Sequence, residues 1–469
     1  MYGTGFGVAA AGVSSHNIGL MYLGNLLCGV GYGCAYTPPI QACLDWFPDK
    51  KGLASGIVIA GFGSGALFFT PMMGFLSSKF ATMPTYLGIN NLDIITEGGK
   101  QFVRMGSELK EVVYATSSEL MKLPYDGLVE GYYLVGSGNT GVAAALASIG
   151  AIYATTVFAS SLIIKRPVPG YLPPGYSPPA TAAGAGASVH VDNLFKTPQF
   201  WLLFTTSTLL ATGGMGILAV AKPMIQSVFA DAMPALVTAS FASAYLMSLA
   251  AGNLGGRLGW AAISDKIGRR NTFHIYTLGA IPLFGSLPFL INQCVSNPEG
   301  PLARVYLTAF CASTVAAISI LGGTFAVLPA YEADLYGPKY VGPIHGRFLL
   351  AATASTIVGP GLLLNLRKMS ESQALTDLLS KVDPVAFAAK FGTDISNAPS
   401  LIEAKTLTIS KLMTIMPQGT VDPSPFLYNN TMYTMAGLVG VAAMLHFMVK
   451  PVDQKYFEKI SEDIEEKKQ

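Results

Sequence analysis

Apolar runs of about 20 residues, the length that spans a bilayer, recur along the chain and confine its charges to a few islands. Backbone polar groups in hydrocarbon must be satisfied internally, and a helix does this segment by segment. The runs read at 1–14 (short), 18–43, 53–77, 137–163, 200–221, 236–262, 273–292, 304–328, 342–364 and 432–449. Charged residues make up 12% of the 469, against about 25% in a soluble domain. The expectation is therefore one all-α, polytopic membrane body of about ten spans rather than several soluble domains. Glycine is frequent inside the spans (Gly29, Gly31, Gly33, Gly56, Gly61, Gly63, Gly65), as where transmembrane helices pack closely on small residues.

Several classes fall away. A net charge of +2 is too small to suggest nucleic acid. Cys28, Cys34, Cys43, Cys294 and Cys311 have no paired or metal-ligand spacing and read as unpaired, buried thiols. The histidines are scattered, and no Ser/His/Asp or Cys/His grouping suggests a hydrolase, so neither an enzyme nor a cofactor is expected. Gly29-x-Gly31-x-Gly33 lies inside an apolar span with no strand before it, unlike a dinucleotide loop. The first residues do not read as a secretory signal peptide, having no basic n-region and no small-residue cleavage site before a polar domain.

Orientation follows from the short loops. One set carries Lys50 and Lys51, Lys165, Arg166 and Lys196, Lys266, Arg269 and Arg270, and Lys339 with Arg347. The alternate loops near 14–17, 223–235 and 293–303 carry no Lys or Arg, which makes the first set cytoplasmic. The expected layout is an N-terminal bundle (1–163), a Pro/Gly/Ala-rich cytoplasmic linker (164–199), a C-terminal bundle (200–450) and a charged cytoplasmic tail (451–469). The tail reads as a solvated helix. Two outer insertions, 78–136 and 365–431, show partial helical periodicity, as at Leu375, Leu378, Leu379 and Val382. Each follows a Pro-containing apolar stretch (Thr70-Pro71, Gly359-Pro360) and precedes the last span of its half. That symmetry points to two parallel structural repeats.

Within this body the run from Gly256-Arg257 to Asp265-Lys266-Ile267-Gly268-Arg269-Arg270 stands out. Arg257 lies about eight residues inside its span, roughly 12 Å deep at 1.5 Å per residue. A cation there is costly unless it faces the bundle interior or a partner, so it is a functional candidate. A guanidinium grips a carboxylate through two parallel hydrogen bonds, which suits an anion as cargo. The other role open to it is structural, in a pair with Asp265 or a helix end. Asp265, Lys266, Arg269 and Arg270 read as an intracellular latch that parts when a cavity opens inward, with simple positive-inside orientation as the alternative. Glu332 and Asp334, placed just after the span 304–328, supply acidic partners.

The run Gly29-x-Gly31-x-Gly33-x-x-Tyr36-x-Pro38-Pro39, then Trp46-Phe47-Pro48-Asp49-Lys50-Lys51-Gly52-Leu53-Ala54-Ser55-Gly56, then Ala60-Gly61-Phe62-Gly63-Ser64-Gly65, resembles the oxalate:formate antiporter family. It is also similar to the monocarboxylate transporters. Lys196-Thr197-Pro198-Gln199-Phe200-Trp201 looks like the start of that family's seventh helix, and the turn 265–270 like the major facilitator superfamily's loop between helices eight and nine. The resemblance covers nearly all the spans but neither insertion. It implies a major-facilitator-type two-bundle fold with helices 3–12 of an expected twelve, the first two helices lacking.

The same resemblance implies a secondary transporter of a small organic anion, monocarboxylate or oxalate/formate-like, with a counter-anion or a proton as partner, embedded in lipid. It assigns Arg257 the substrate carboxylate. Asn253, one turn away, stands where monocarboxylate transporters carry an aspartate, which disfavours proton symport by that pair. Ala352 stands where oxalate carriers have a lysine, which favours a monoanion; Lys222, read otherwise as a snorkelling lysine, is the possible substitute cation. Arg347 reads as a gate or interface residue. Tyr32 and Tyr36, one turn apart, and Thr353 are further candidates to line the cavity, with helix packing and backbone satisfaction as their plainer roles. The rival functions are transport of another small solute and a non-transporting membrane sensor or scaffold.

Overall fold

The computed structural model describes residues 1–89, 92–97, 100–105, 108–115, 128–168, 171–175, 188–403 and 407–458. Linker residues 169–170 and 176–187 and the tail past 458 lie outside the described residues; the described start of the tail, 451–458, is extended chain with one 3-10 turn (Gln454–Tyr456) in place of the expected helix.

Every expected apolar span is helical. In chain order the helices are α1 (Tyr2–Ser14), α2 (Ile18–Trp46), α3 (Lys51–Gly63), α4 (Gly65–Phe80), α5 (Val142–Ile163), α6 (Pro198–Phe229), α7 (Ala239–Ile267), α8 (Arg269–Ser296), α9 (Ala303–Tyr336) and α10 (Val341–Leu379). The short helices α11 (Pro384–Phe391), α12 (Ala398–Glu403) and α13 (Ile409–Met413) precede α14 (Asn429–Phe447). Among the described residues, 6 helices are long and apolar enough to cross a membrane, and the chain is a multi-pass integral membrane protein.

Three spans differ in detail from their sequence reading. The span 53–77 is two helices, broken at Ser64 between Gly63 and Gly65; glycine flanking a serine is a common site of a kink. The span 304–328 runs on to Tyr336, so Glu332 and Asp334 ride on the helix itself rather than after it. The span 342–364 continues to Leu379, carrying α10 beyond any bilayer and into the second insertion. There Leu375, Leu378 and Val382 of the periodic stretch join Phe387, Leu412 and Leu427 in a separate small core, with Leu379 packed against it.

The first insertion corrects its reading. Its partial helical periodicity gives way to an antiparallel five-stranded sheet, in the order β1-β5-β4-β3-β2. The strands are β1 (Tyr86–Gly88), β2 (Ile94–Glu97), β3 (Lys100–Met105), β4 (Glu108–Ala115) and β5 (Gly131–Leu134). Val103 and Val112 are buried on one face of the sheet and Tyr133 on the other, and the β-branched and aromatic residues that suit a pleated surface outweigh the weak helical period. The membrane body keeps the all-α class.

The helices form two compact units. One comprises residues 1–39 and 65–166, the other 40–64 and 167–469. In the first, α1 lies on α5 so closely that a Cβ on Gly3 would come 2.5 Å from Ala154 Cβ. In the second, α7 runs against both α9 and α3. A Cβ on Gly256 would sit 2.1 Å from the Ser319 carbonyl oxygen, and one on Gly322 would sit 2.2 Å from that of Asn253. Only hydrogen fits at either place. The bare glycines bring two backbones together and set the height of α7 beside α9.

Candidate functional site

α3 and α7 are antiparallel and matched in small steps. Gly52 faces Asp265 and the Ala261 carbonyl, Gly56 faces Ala261 Cβ, and Gly63 faces the Arg257 side chain. The spacing of Gly52 and Gly56 is the small-xxx-small pattern that lets helices approach in a membrane. Close approach lets two polar groups of α7, Arg257 and Asp265, reach the backbone of α3.

Arg257 is half-buried. Its Nε donates to Asn253 Oδ1 at 3.0 Å and its Nη1 to the Ile59 carbonyl at 2.9 Å. A Cβ on Gly63 would fall 2.5 Å from Nε, so the guanidinium lies directly over this glycine. Asn253 therefore orients the side chain from one turn away, and Ile59 holds its far end. Both acceptors are neutral, and a carboxylate forms shorter, stronger bonds to a guanidinium than either.

Two turns further along α7, Asp265 closes the same helix pair. Its Oδ1 accepts from the Gly52 N–H at 3.0 Å and its Oδ2 from the Leu53 N–H at 2.9 Å. These are orphan donors at the start of α3, and the positive end of the helix dipole favours a carboxylate there. Arg269, four residues on, donates to Asp265 Oδ1 and lies 3.5 Å from Asp334 on α9. Lys51 reaches Asp334 at 3.9 Å. Beside them, the Gly342 N–H at the start of α10 donates to Gln41 Oε1 at 2.9 Å, and Ser55 Oγ donates to the Ala326 carbonyl at 2.9 Å. The end of this unit is thus shut by bonds joining segment 40–64 to α7, α9 and α10.

The sequence-derived candidates divide accordingly. Arg257 and Asn253 come together, as do Asp265 and Arg269, while Lys266 and Arg270 are exposed. Asp334 joins the latch but Glu332 does not; it turns inward to His345 of α10, at 3.1 Å from both carboxylate oxygens to Nδ1. Thr353 is exposed and donates to its own helix at the Leu349 carbonyl, 3.4 Å away. Lys222 is exposed, and Arg347 donates to the Pro343 carbonyl at 2.9 Å while covering the Phe195 ring. Tyr32 and Tyr36 belong to the other unit, with rings 5.5 Å apart, Tyr36 buried and Tyr32 42% exposed.

Sequence reasoning missed four elements of this end: the Ile59 carbonyl, the Lys51–Asp334 contact, the Glu332–His345 pair, and a chain in which Tyr331 Oη lies 3.2 Å from His446 Nε2 and His446 Nδ1 lies 3.0 Å from His274 Nδ1. The four-residue spacing of Gly52 and Gly56 was the available signal for the first.

No family model matches the chain. It is 26% identical over 348 residues to the apicoplast pyruvate carrier 1 of Toxoplasma gondii, covering 70% of this chain and 56% of that one. It is 25% identical over 336 residues to the oxalate:formate antiporter of Oxalobacter formigenes, covering 72% and 60%. Further relatives are major-facilitator-type transporters. The chain thus spans 56% and 60% of the length of the pyruvate carrier and the oxalate:formate antiporter. Among solved structures, a fucose:proton symporter of E. coli is similar at a TM-score of 0.43 and 12% identity, over 96% of this chain and 84% of that one.

Proposed function

We propose that this homologue of major facilitator transporters moves a small organic anion, with a monocarboxylate as the favoured cargo, by alternating access. The observation that carries the reading is the pose of Arg257: a guanidinium at membrane depth, oriented by Asn253 and held at its far end by the Ile59 carbonyl. An arriving carboxylate competes for that far end, because it brings a full opposite charge and two parallel bonds where the carbonyl offers one neutral acceptor. Taking the guanidinium from Ile59 removes one of the ties between α7 and α3. A second tie on this helix pair is Asp265 on the α3 N-terminus, which Arg269 steadies.

Binding and gating are thereby linked through one helix pair. The anion loosens the middle of the α3–α7 contact, and the latch at 265–269, on the cytoplasmic side by its Lys and Arg content, is the part that separates for release. An aliphatic residue at position 352 in place of a second cation suits a single carboxylate. The pyruvate carrier and the oxalate:formate antiporter among the relatives accord with this cargo class.

The test is uptake by the full chain in proteoliposomes loaded with unlabelled anion, using labelled formate, pyruvate and oxalate. Exchange of a monocarboxylate, lost in Arg257→Ala while membrane insertion persists, is the expected result. Uptake unchanged in that variant, or competition by neutral solutes and not by organic acids, overturns it.

A further inference from the structure

Glu332 and His345 are the most thoroughly buried ionisable pair on the latch side, with 0% and 1% of their surfaces exposed, and neither the latch nor the Arg257 contact uses them. Both carboxylate oxygens lie 3.1 Å from one ring nitrogen, Nδ1, so a single proton on that nitrogen is shared between them. With that proton alone the pair carries a net charge of −1. A second proton, leaving either imidazolium with carboxylate or imidazole with carboxylic acid, makes it neutral. An uncompensated charge in a dry interior costs several kcal/mol, so the buried pair favours the second proton, and hydration removes that preference.

Most of the charged and titratable groups nearby have partners of their own. Asp265, Arg269, Asp334 and Lys51 form the latch. Tyr331 and His446 lie within hydrogen-bond distance of each other, and His446 within that of His274. Arg347 covers Phe195, Arg270 is exposed, and Tyr336 is a neutral phenol. His345 is the basic group bonded to Glu332.

The pair is also wired to the gate. Glu332 lies two residues before Asp334, which takes Arg269 and Lys51. His345 lies three residues after Gly342, whose N–H is held by Gln41. Parting of segment 40–64 from α9 and α10 breaks contacts within one turn of both residues and admits water.

We propose that Glu332 and His345 form the proton-binding site of this transporter, holding one more proton when the latch is closed than when it is open. The site supplies the titratable carboxylate that neutral Asn253 lacks beside Arg257, and it places the proton on the gate rather than on the anion. The proposal rests on the alternating-access reading but not on which solute is carried.

The experiment needs no substrate. The full chain, with its five cysteines replaced by serine, receives Lys50→Cys and Lys266→Cys, spin labels at both, and reconstitution in lipid nanodiscs. Electron–electron distances are recorded from pH 5 to pH 8.5. One proton of difference makes the ratio of long to short distances rise about tenfold per pH unit in the titrating range. Glu332→Gln and His345→Gln each flatten that dependence to less than about twofold over the same range. The double variant Glu332→Leu with His345→Leu, in which apolar groups replace a buried pair at little cost to folding, does the same if either single variant fails to fold. A parent whose distances do not respond to pH, or variants that titrate as the parent does, overturn the proposal. Loss of anion uptake with the titration intact counts against the cargo assignment alone.

Discussion

Arg257 Nη1 donates to the backbone carbonyl of Ile59 at 2.9 Å, so a cation on α7 is fastened to the main chain of α3. A main-chain acceptor cannot be removed by changing a side chain, and it is neutral. It therefore holds the guanidinium in place without adding a charge of its own. The predictions below follow from that relationship and from the latch that accompanies it.

Gly63 is the floor under the guanidinium. In Gly63→Ala the new Cβ falls 2.5 Å from Nε and 2.7 Å from Cδ of Arg257, and a flexible side chain yields by shifting. The expected outcome is normal insertion with a several-fold higher half-saturation for the anion, read from concentration-dependent uptake. Unchanged affinity removes Arg257 from the binding path.

The backbone contacts of α7 with α9 leave no such room. Gly256→Ala and Gly322→Ala drive a Cβ to 2.1 Å and 2.2 Å from carbonyl oxygens. Overpacking costs about 1–3 kcal/mol or more, so both lower Tm and the yield of folded protein. Gly259→Ala, with nothing within 4 Å of its Cβ, has no such cost and gains up to about 1 kcal/mol of helix propensity. Thermal melts in detergent separate the two groups.

Asp265→Asn keeps the shape of the side chain and removes its charge. Hydrogen bonds to a charged group contribute about 1.5–3 kcal/mol, and the charge is what suits the α3 N-terminus and Arg269. The latch then spends more time open. Ser55→Cys, at a buried position, reports this as several-fold faster labelling by an impermeant thiol reagent at fixed pH, compared with the same cysteine beside native Asp265.

The start of the tail is pinned by charge. Lys339 donates to Glu458 Oε2 and Tyr340 to its Oε1, both at 2.7 Å, and the Glu458 N–H donates to the Ser188 carbonyl at 3.0 Å. The Lys339 bond, then that of Tyr340, holds the Glu458 carboxyl below its ordinary value, while the Glu458 bond holds Lys339 above its own. A lowered acid contributes fully above its unfolded value, about 4.3, and a raised base fully below its own, about 10.4. Anchoring is therefore complete between these limits, fades as pH falls through the lowered Glu458 value, and fades again as pH rises through the raised Lys339 value. Limited proteolysis of the tail at graded pH checks this: cleavage is slow from about pH 5 to 10 and faster outside. Glu458→Gln removes the acid limb.

How far the sequence carries can be judged residue by residue. The helical spans are legible because hydrocarbon imposes one length and one way of satisfying the backbone. Arg257 is legible because a charge in an apolar run needs a reason. Asp265 with Arg269 is legible as opposite charges on either side of the Gly268 turn between α7 and α8, but the exposure of Lys266 and Arg270 is not, because it depends on how that turn is folded. The Ile59 carbonyl is not legible, since backbone acceptors carry no residue identity. Nor is the choice of Asp334 for the latch and Glu332 for His345, because it depends on α9 continuing to Tyr336 and on the rotation of its last turns. The sheet of the first insertion was hidden by short strands of mixed polarity, where pairing partners rather than local periodicity decide the structure.

Binding to the purified full chain tests the central claim most directly. Formate, pyruvate and oxalate are titrated against its melting temperature, with neutral solutes of similar size alongside. A ligand that binds only the folded state stabilises it by RT ln(1 + [L]/Kd), about 2.7 kcal/mol at a hundredfold excess over Kd. The account predicts a concentration-dependent rise in Tm with a monocarboxylate, none with neutral solutes, and none with any anion in a folded Arg257→Ala protein. An equal rise in that variant, or stabilisation by neutral solutes alone, would contradict the assignment of Arg257 to an organic anion.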